Sequence, residues 1–208
     1  MPHRPRQDLA GTIHHAIMRA RNREAVFAHD GDRWLYLTLL KQWAASCGCI
    51  IHAWALLSNH VHLLVEVTKD HGLARCLQAV NGTYSRQVNR ERMRMGNNWQ
   101  AHAQISPVVF EAYFRACVLY IDCNALKAGL VDDPVTYPWS SCRARCLGFD
   151  DGLTGANPWY DSLGATPRER QAVYWSMLTG YAQRMGREMS LGGAVSKHGD
   201  KVATHGVG

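Results

Sequence analysis

Residues 50–67 read IIHAWALLSNHVHLLVEV and decide the fold, because two apolar segments flank a short polar turn. Apolar runs of this length, bounded by turn residues, are typical of buried strands. We therefore predict a strand over Ile50–Leu57, a turn at Ser58-Asn59 and an antiparallel partner strand over His60–Val67. This pair is expected to form the centre of the sheet.

Two strand patterns and two helical patterns surround this hairpin. Thr12–Met18 has mixed polarity and is predicted to be a strand, and Trp99–Ile105 is predicted to be an edge strand. Apolar residues repeat at helical spacing after Asp32 and end near Gly48, where glycine permits the left-handed turn that closes a helix. The same spacing over Gly72–Arg92 predicts a second helix.

The second half of the chain carries two signals for the start of a helix. Ser106-Pro107 combines a capping residue with proline and predicts a third helix that ends near Gly129. Thr166 and Glu169 have the spacing of a capping box and predict a C-terminal helix. The buried face of the third helix is predicted to carry Phe110, Tyr113, Phe114, Cys117 and Ile121. Together these elements predict an α+β fold, in which helices pack on one face of an antiparallel sheet and a C-terminal helical extension follows.

Length and composition are those of one folded domain with extensions. The chain has 208 residues, of which 47% are hydrophobic and 19% charged, so it can bury a core and is not disordered as a whole. Its longest apolar stretch is shorter than a membrane span, and its basic N-terminus lacks the apolar segment of a secretory signal. We expect a cytoplasmic protein without a membrane partner.

The charge of the chain is basic and unevenly distributed. A formal net charge of +6 favours a polyanionic partner such as nucleic acid. Arginines crowd two stretches, which are either phosphate-binding surfaces or solvated faces. The candidates for DNA contact are Arg19, Arg21, Arg23, Arg86, Arg90 and Lys127. Seven cysteines include no pair of CxxC motifs, so we expect reduced, buried thiols rather than a structural zinc site.

His60-Val61-His62 is the sharpest chemical signal in the sequence. Side chains alternate across a strand, so both imidazoles face one side of the sheet while Val61 faces the other. An isolated HxH is commonly a pair of structural histidines. This pair lies in the most apolar part of the chain, where polar groups must be hydrogen-bonded or must bind a metal.

The third predicted helix offers further functional groups. Tyr120 and Asn124 are four residues apart, which puts them one turn apart on a helix face that looks toward the sheet. Two imidazole nitrogens and the Asn124 amide oxygen could hold Mg²⁺ or Mn²⁺ and leave positions open for water and phosphate. Tyr120 would then be a nucleophile beside a bound phosphate, with Lys127 as an auxiliary cation. Tyr84 is the rival nucleophile, although its place in the apolar stripe of the second helix favours a core role.

Several segments carry a resemblance to a known family. They read LSNHVHLLVE at 57–66, NWQ at 98–100, YIDCNALKAGLV at 120–131 and YPWSS at 137–141. In this order and spacing they resemble the REP-associated tyrosine transposases, which belong to the insertion-sequence-200-like branch of the HUH single-strand transposases. The family usually has glutamate where this chain has Asp122.

The resemblance implies a fold, a site and a reaction. The fold is a ferredoxin-like core, in which His60, His62 and Asn124 bind Mg²⁺ or Mn²⁺ and Tyr120 is the nucleophile. The reaction is the cleavage and rejoining of single-stranded or hairpin DNA through a 5′-phosphotyrosine link, by a monomer or a homodimer. Two other readings stay open: a nucleic-acid-binding domain without catalysis, and a metallohydrolase in which the two histidines activate water.

Three regions are expected along the chain. Residues 1–147 are predicted to form the catalytic domain and residues 148–185 a C-terminal helical extension. Residues 186–208 are rich in Gly, Ser and Lys and have no apolar period, so they are predicted to be a disordered tail.

Overall fold

The fold is that of a computed structural model, in which residues 8–193 are described. Four strands form one antiparallel sheet. In chain order, the elements are β1 (Thr12–Arg19), α1 (Asp30–Cys47), β2 (Cys49–Leu56), β3 (His60–Val67), α2 (Gly72–Glu91), β4 (Gln104–Pro107), α3 (Glu111–Asp122), α4 (Asn124–Lys127), α5 (Cys142–Leu147), α6 (Pro158–Asp161) and α7 (Pro167–Gly193). Short 3₁₀ turns lie at Arg21–Arg23 and Pro134–Thr136.

The topology of the first half is ferredoxin-like. Strands and helices alternate as β1-α1-β2-β3-α2-β4, and the strand order across the sheet is β2-β3-β1-β4. The predicted fold class, an α+β fold on an antiparallel sheet with a C-terminal helix, is confirmed. The hairpin is not the centre of the sheet, because β1 pairs with the open side of β3 and leaves β2 at an edge.

Helices cover both faces of the sheet, and this detail differs from the prediction of helices on one face. On the first face, α1 and α2 pack against residues such as Leu63 and Val65. On the second face, α3 packs against β2 and β3, and α7 joins the same buried cluster through its contacts with α4, α5 and α6. Both faces need a cover because β2 and β3 carry buried apolar residues on both sides of the sheet.

The start of the third helix also differs from the prediction. Ser106 and Pro107 lie in β4, where they pair with His15 and His14 of β1, and the helix begins only at Glu111. Phe110 and Tyr113, which were expected on the buried face, are exposed, whereas the remaining three predicted positions are buried. Pairing with a strand that is distant in sequence therefore outweighs the local cap-and-proline signal.

Local predictions hold where the signal and its partner lie close together in sequence. Gly48 ends α1 in a left-handed conformation with φ of 70°. The capping box is formed, because Glu169 Oε2 accepts from the Thr166 backbone N–H and Thr166 Oγ1 accepts from the Glu169 backbone N–H. All seven cysteines are free and buried.

The C-terminal region packs onto the second face of the sheet. Trp159, Tyr174 and Leu178 join the same buried cluster as the residues of α3. The backbone of α7 continues to Gly193, eight residues into the region that was predicted to be a tail, and residues 194–208 lie outside the described part. Among the described helices, no segment has both the length and the apolar character needed to cross a bilayer.

Candidate active site

Strand β3 presents the two histidines of the HVH motif on the face that α3 covers. Antiparallel pairing sets His60 opposite Arg19 and His62 opposite Ile17 on β1. His62 is buried, His60 is half-buried, and the centroids of their rings are 5.0 Å apart. The alternation of side chains along the strand therefore brings the imidazoles together, as the sequence predicted.

Tyr120 and Asn124 meet these histidines from the helical side. The helix is interrupted at Cys123, so that Tyr120 lies near the end of α3 and Asn124 begins α4. The Tyr120 ring stands edge-on to His62, with 5.6 Å between ring centroids, and the buried Asn124 side chain interacts with His60. The four residues singled out for chemistry thus lie around one point between sheet and helix.

Burial and nearby cations keep the two histidines neutral. Burial lowers the pKa of His62 to about 2, with further lowering by His60, His15, Arg19 and Lys127. Burial also lowers the pKa of His60, and Arg19 adds to this effect while Asn124 opposes it. A neutral imidazole has a free nitrogen lone pair, which is the form that binds a metal ion.

Lys127 is an exposed cation beside the candidate nucleophile. Its ammonium Nζ lies 4.9 Å from the centroid of the Tyr120 ring. One turn of α4 separates Lys127 from Asn124, so the same short helix carries an amide toward the histidines and a charge toward the phenol. This cation can stabilise negative charge on the Tyr120 oxygen or on a phosphate next to it.

The predicted DNA-contacting arginines fall into two groups. Arg19 neighbours His60, and Arg21 and Arg23 follow it in the turn after β1. This turn contacts the residue before the HVH motif, since Asn59 Nδ2 donates to the Arg23 carbonyl oxygen at 3.0 Å. Arg86 and Arg90 are exposed on α2, which packs on the opposite face of the sheet, so they are not part of this site.

A cavity of about 570 Å³ opens next to Arg19. Its walls come from α2, from the end of β1 and from the segment 96–103, and they include Gln78, Asn81 and Trp99. The cavity lies on the face of the sheet that α2 covers and has amide side chains along one wall.

His15 belongs to the site but was not singled out in the sequence. Its Nε2 atom lies 3.1 Å from Nδ1 of His62, and its ring centroid lies 5.9 Å from that of Tyr120. Burial lowers the pKa of His15 as well. The only signal in the sequence is the His14-His15 pair in a predicted strand, and its meaning depends on how β1 aligns with β3.

A buried network around Asp122 holds the break between α3 and α4. Arg145 binds both carboxylate oxygens of Asp122, with 2.7 Å between Nη2 and Oδ1 and 3.0 Å between Nε and Oδ2. Ser141 Oγ and Tyr174 Oη donate to the same carboxylate at 2.8 and 2.5 Å. Asp122 thus ties the segment between Tyr120 and Asn124 to α5 and α7.

The residues present offer a divalent ion both nitrogen and oxygen donors. Within the described residues, Asn124 Nδ2 is buried without a hydrogen-bond partner, so protein atoms leave this amide incompletely satisfied. No group of three or more His, Cys, Asp or Glu side chains there is arranged to hold a metal, which disfavours a zinc-type site. Two neutral imidazoles and an amide oxygen form a mixed donor set compatible with Mg²⁺ or Mn²⁺.

Comparison with known proteins gives a family and a fold. Residues 9–106 match the family model of the IS200-like transposases. A REP-associated tyrosine transposase bound to a REP hairpin shares the fold, with a TM-score of 0.62 and 18% identity over 76% of this chain and 92% of the other. A candidate transposase from Deinococcus radiodurans R1 aligns with a TM-score of 0.40 and 20% identity over 59% of this chain and 95% of the other. A search of curated proteins finds no match.

The matched region coincides with the sheet that was described above. It contains all of β1, α1, β2, β3 and α2, and with them His15, His60 and His62. Tyr120 and Asn124 lie beyond the matched residues. The shared fold and the family model agree with the resemblance in the sequence, and residues 9–106 of this chain are similar to the IS200-like transposases.

Proposed function

We propose that this chain is a metal-dependent transposase of the REP-associated branch, which cuts and rejoins single-stranded DNA through Tyr120. One observation carries the proposal. Tyr120 and Asn124, from the break between α3 and α4, meet His60 and His62 of β3 on one side of the sheet. A phenol next to two neutral imidazoles and an amide combines a nucleophile with a set of metal ligands.

The metal ligands in this proposal are His60, His62 and Asn124. A bound Mg²⁺ or Mn²⁺ would polarise a phosphoryl oxygen of the DNA backbone. The burial that keeps both imidazoles neutral also keeps their nitrogen lone pairs available at neutral pH. The Asn124 side chain is buried and is held by the same helix break that carries Tyr120, so ligand and nucleophile keep a fixed relation.

Tyr120 carries the covalent step. Its Oη attacks the phosphorus of a phosphodiester, the bond from phosphorus to the 3′ oxygen breaks, and a 5′-phosphotyrosine link and a free 3′-hydroxyl result. The proton that the phenol loses is balanced by the proton that the 3′ oxygen gains. Lys127, whose Nζ lies 4.9 Å from the centroid of the Tyr120 ring, provides positive charge for the phosphate that the phenol attacks. Attack by a 3′-hydroxyl on the phosphotyrosine reverses these changes and rejoins the strand.

The proposed substrate is a hairpin with a single-stranded flank. The solved relative is a REP-associated tyrosine transposase bound to a REP hairpin, which supports DNA of this shape as the substrate class. Arg19, with Arg21 and Arg23 in the turn beyond it, provides positive charge next to His60 for the DNA backbone. Binding through phosphate contacts of this kind weakens steeply as the salt concentration rises.

Covalent capture tests the proposal. The protein is incubated with a 5′-labelled or 3′-labelled hairpin oligonucleotide and Mn²⁺, and a labelled protein band is sought after denaturation. We expect an adduct with the 3′-labelled strand that Tyr120→Phe abolishes. Tyr113→Phe is the matched control, because this exposed tyrosine lies on the same helix and is remote from His62.

The same experiment separates the competing readings. DNA binding that persists in chelator without any adduct would identify a non-catalytic DNA-binding domain. Multiple turnover without a protein–DNA bond would identify a metallohydrolase. An adduct that survives Tyr120→Phe would move the nucleophile elsewhere. Tyr84 is disfavoured for that role, since it is fully buried on the opposite face of the sheet and its Oη donates to the Val26 carbonyl oxygen at 2.8 Å.

A further inference from the structure

His15 and His62 form a direct contact between two buried imidazoles. His15 Nε2 lies 3.1 Å from His62 Nδ1, and the two rings are stacked with centroids 5.4 Å apart. The contact is diagonal across the sheet, since His62 pairs directly with Ile17 and His15 pairs with Leu64. Both side chains face α3, and His15 has only 9% of its surface exposed.

A neutral imidazole can coordinate a metal only through the nitrogen that lacks a proton. Which nitrogen carries the proton is set by the hydrogen bond that the other nitrogen makes. In this pair, one ring must donate and the other must accept, because each neutral imidazole has one N–H group. The direction of a single hydrogen bond therefore determines which atom of His62 is free.

We propose that His15 is a positioning residue that accepts a hydrogen bond from His62 Nδ1 and so leaves Nε2 of His62 free to bind the metal ion. This inference rests on the proposed function, in which His62 is a metal ligand. The opposite direction, with His15 as the donor, would put the His62 proton on Nε2 and remove the lone pair that coordination needs.

Neighbouring side chains contact the rings of all three histidines of the site. The edge of Tyr120 contacts both imidazoles, with centroid distances of 5.9 Å to His15 and 5.6 Å to His62. His60 Nδ1 makes its own contact, at 2.7 Å, with Asn59 Oδ1. Each of the two candidate ligand histidines thus has its Nδ1 engaged by a neighbouring side chain. In both rings the Nε2 atom is left for the site.

The direction of the bond is measurable without metal or DNA. Two-bond ¹H–¹⁵N correlation spectra of the full-length, metal-free protein distinguish the two tautomers of each neutral histidine. We expect His62 in the Nδ1–H form in the parent protein and a mixture of tautomers in His15→Phe. Observation of the Nε2–H form of His62 in the parent would overturn the proposal, whatever the activity of the enzyme.

Metal affinity is the second readout. Calorimetric titration with Mn²⁺ should give binding about 10- to 100-fold weaker in His15→Phe than in the parent, which is the usual effect of removing such a partner. His15→Gln keeps an acceptor oxygen and should recover most of the affinity. His14→Phe is the matched control, since the adjacent histidine faces the opposite side of β1 and contacts Thr12.

The outcomes separate this inference from the function on which it rests. Unchanged Mn²⁺ affinity in a folded His15→Phe variant, together with loss of affinity in His62→Ala, would overturn the role of His15 and leave the metal site intact. A parent protein that neither binds Mn²⁺ nor forms the Tyr120 adduct would overturn the proposed function itself. If His15→Phe does not fold, the Mn²⁺ affinity of His15→Gln decides the question. Glutamine keeps an oxygen that can accept the hydrogen bond from His62, so its affinity should stay within tenfold of the parent's. A larger loss of affinity would contradict the proposed role of His15.

Discussion

Lys127 lies against the ring of Tyr120 at the surface end of the site, where its charge has access to substrate. We predict that Lys127→Met slows adduct formation roughly tenfold in a single turnover, because the developing phenolate and the phosphate lose a nearby cation. Lys127→Arg should keep most of the rate. The measurement is a quenched time course with the labelled hairpin oligonucleotide.

The control for this substitution removes the same charge elsewhere. Lys69 follows β3 at the end of the strand remote from His60, so Lys69→Met should leave the rate of adduct formation unchanged. Equal slowing by the two variants would mean that net charge, and not the contact with Tyr120, is responsible.

Some residues of the site could be predicted from the sequence, and one could not. The alternation of His60 and His62 is a local pattern, and the geometry of β3 alone brings both imidazoles onto one side of the strand. The four-residue spacing of Tyr120 and Asn124 is local too, but the helix that was expected to carry both is interrupted at Cys123, so Tyr120 lies on α3 and Asn124 on α4. His15 is different, because it lies 47 positions from His62 and their contact depends on the register between β1 and β3. No periodicity within β1 reports that register.

The short break between α3 and α4 is the element on which the site depends. It puts Tyr120 on one helix and Asn124 on the next, and Asp122 between them is bound by Arg145, Ser141 and Tyr174. A buried carboxylate with this many partners holds the backbone in one arrangement, provided that every partner remains. The geometry of the site is thus maintained by side chains that do not touch the reacting groups.

Tyr174→Phe tests this dependence with a small change. It removes the hydroxyl that donates to Asp122 and keeps the ring, so we predict a loss of about 1–3 kcal/mol in the free energy of unfolding. We also predict slower formation of the Tyr120 adduct, because the helix break is held less firmly. Urea denaturation and the adduct time course measure the two effects.

A neighbouring tyrosine offers the matched control for that substitution. Tyr160 Oη donates to the Arg145 carbonyl oxygen at 2.7 Å and does not touch Asp122. Tyr160→Phe should therefore cost about 0.5–1.5 kcal/mol of stability and leave adduct formation unchanged. The role of the Asp122 network would be wrong if Tyr174→Phe lost stability but reacted at the parent's rate.

At the scale of elements, prediction succeeds where hydrogen-bond partners are close in sequence. The bounds of β3 and the capping box of α7 were predicted correctly, since each is determined by residues within a few positions. The start of the third helix was wrong because Ser106 and Pro107 pair with β1. Proline has no backbone N–H group to donate. An edge strand and the first turn of a helix both tolerate this loss, so the sequence alone does not distinguish them.

Considered as a whole, the molecule is a ferredoxin-like sheet with a second helical layer, and that second layer contains the helix of Tyr120. Apolar residues on both faces of β2 and β3 require this cover, which the first 130 or so residues supply only in part. Trp159, Tyr174 and Leu178 complete it from beyond residue 147. The predicted boundary between a catalytic domain and an extension therefore cuts through one hydrophobic core.

A truncated chain that ends at Leu147 tests whether that core is shared. Full burial of a large apolar side chain contributes about 1.5–3 kcal/mol, so the loss of three such residues removes an amount comparable to the stability of a typical domain. The truncation also leaves Asp122 and Arg145 without Tyr174 and exposes the outer face of α3 to water.

We predict that the chain truncated at Leu147 has no cooperative urea unfolding transition and forms no adduct. The control, Leu178→Ala in the full chain, should unfold cooperatively with about 2–5 kcal/mol less stability. Cooperative unfolding of the truncated chain at the parent's midpoint would instead establish residues 1–147 as an independent domain, with α7 as an appendage.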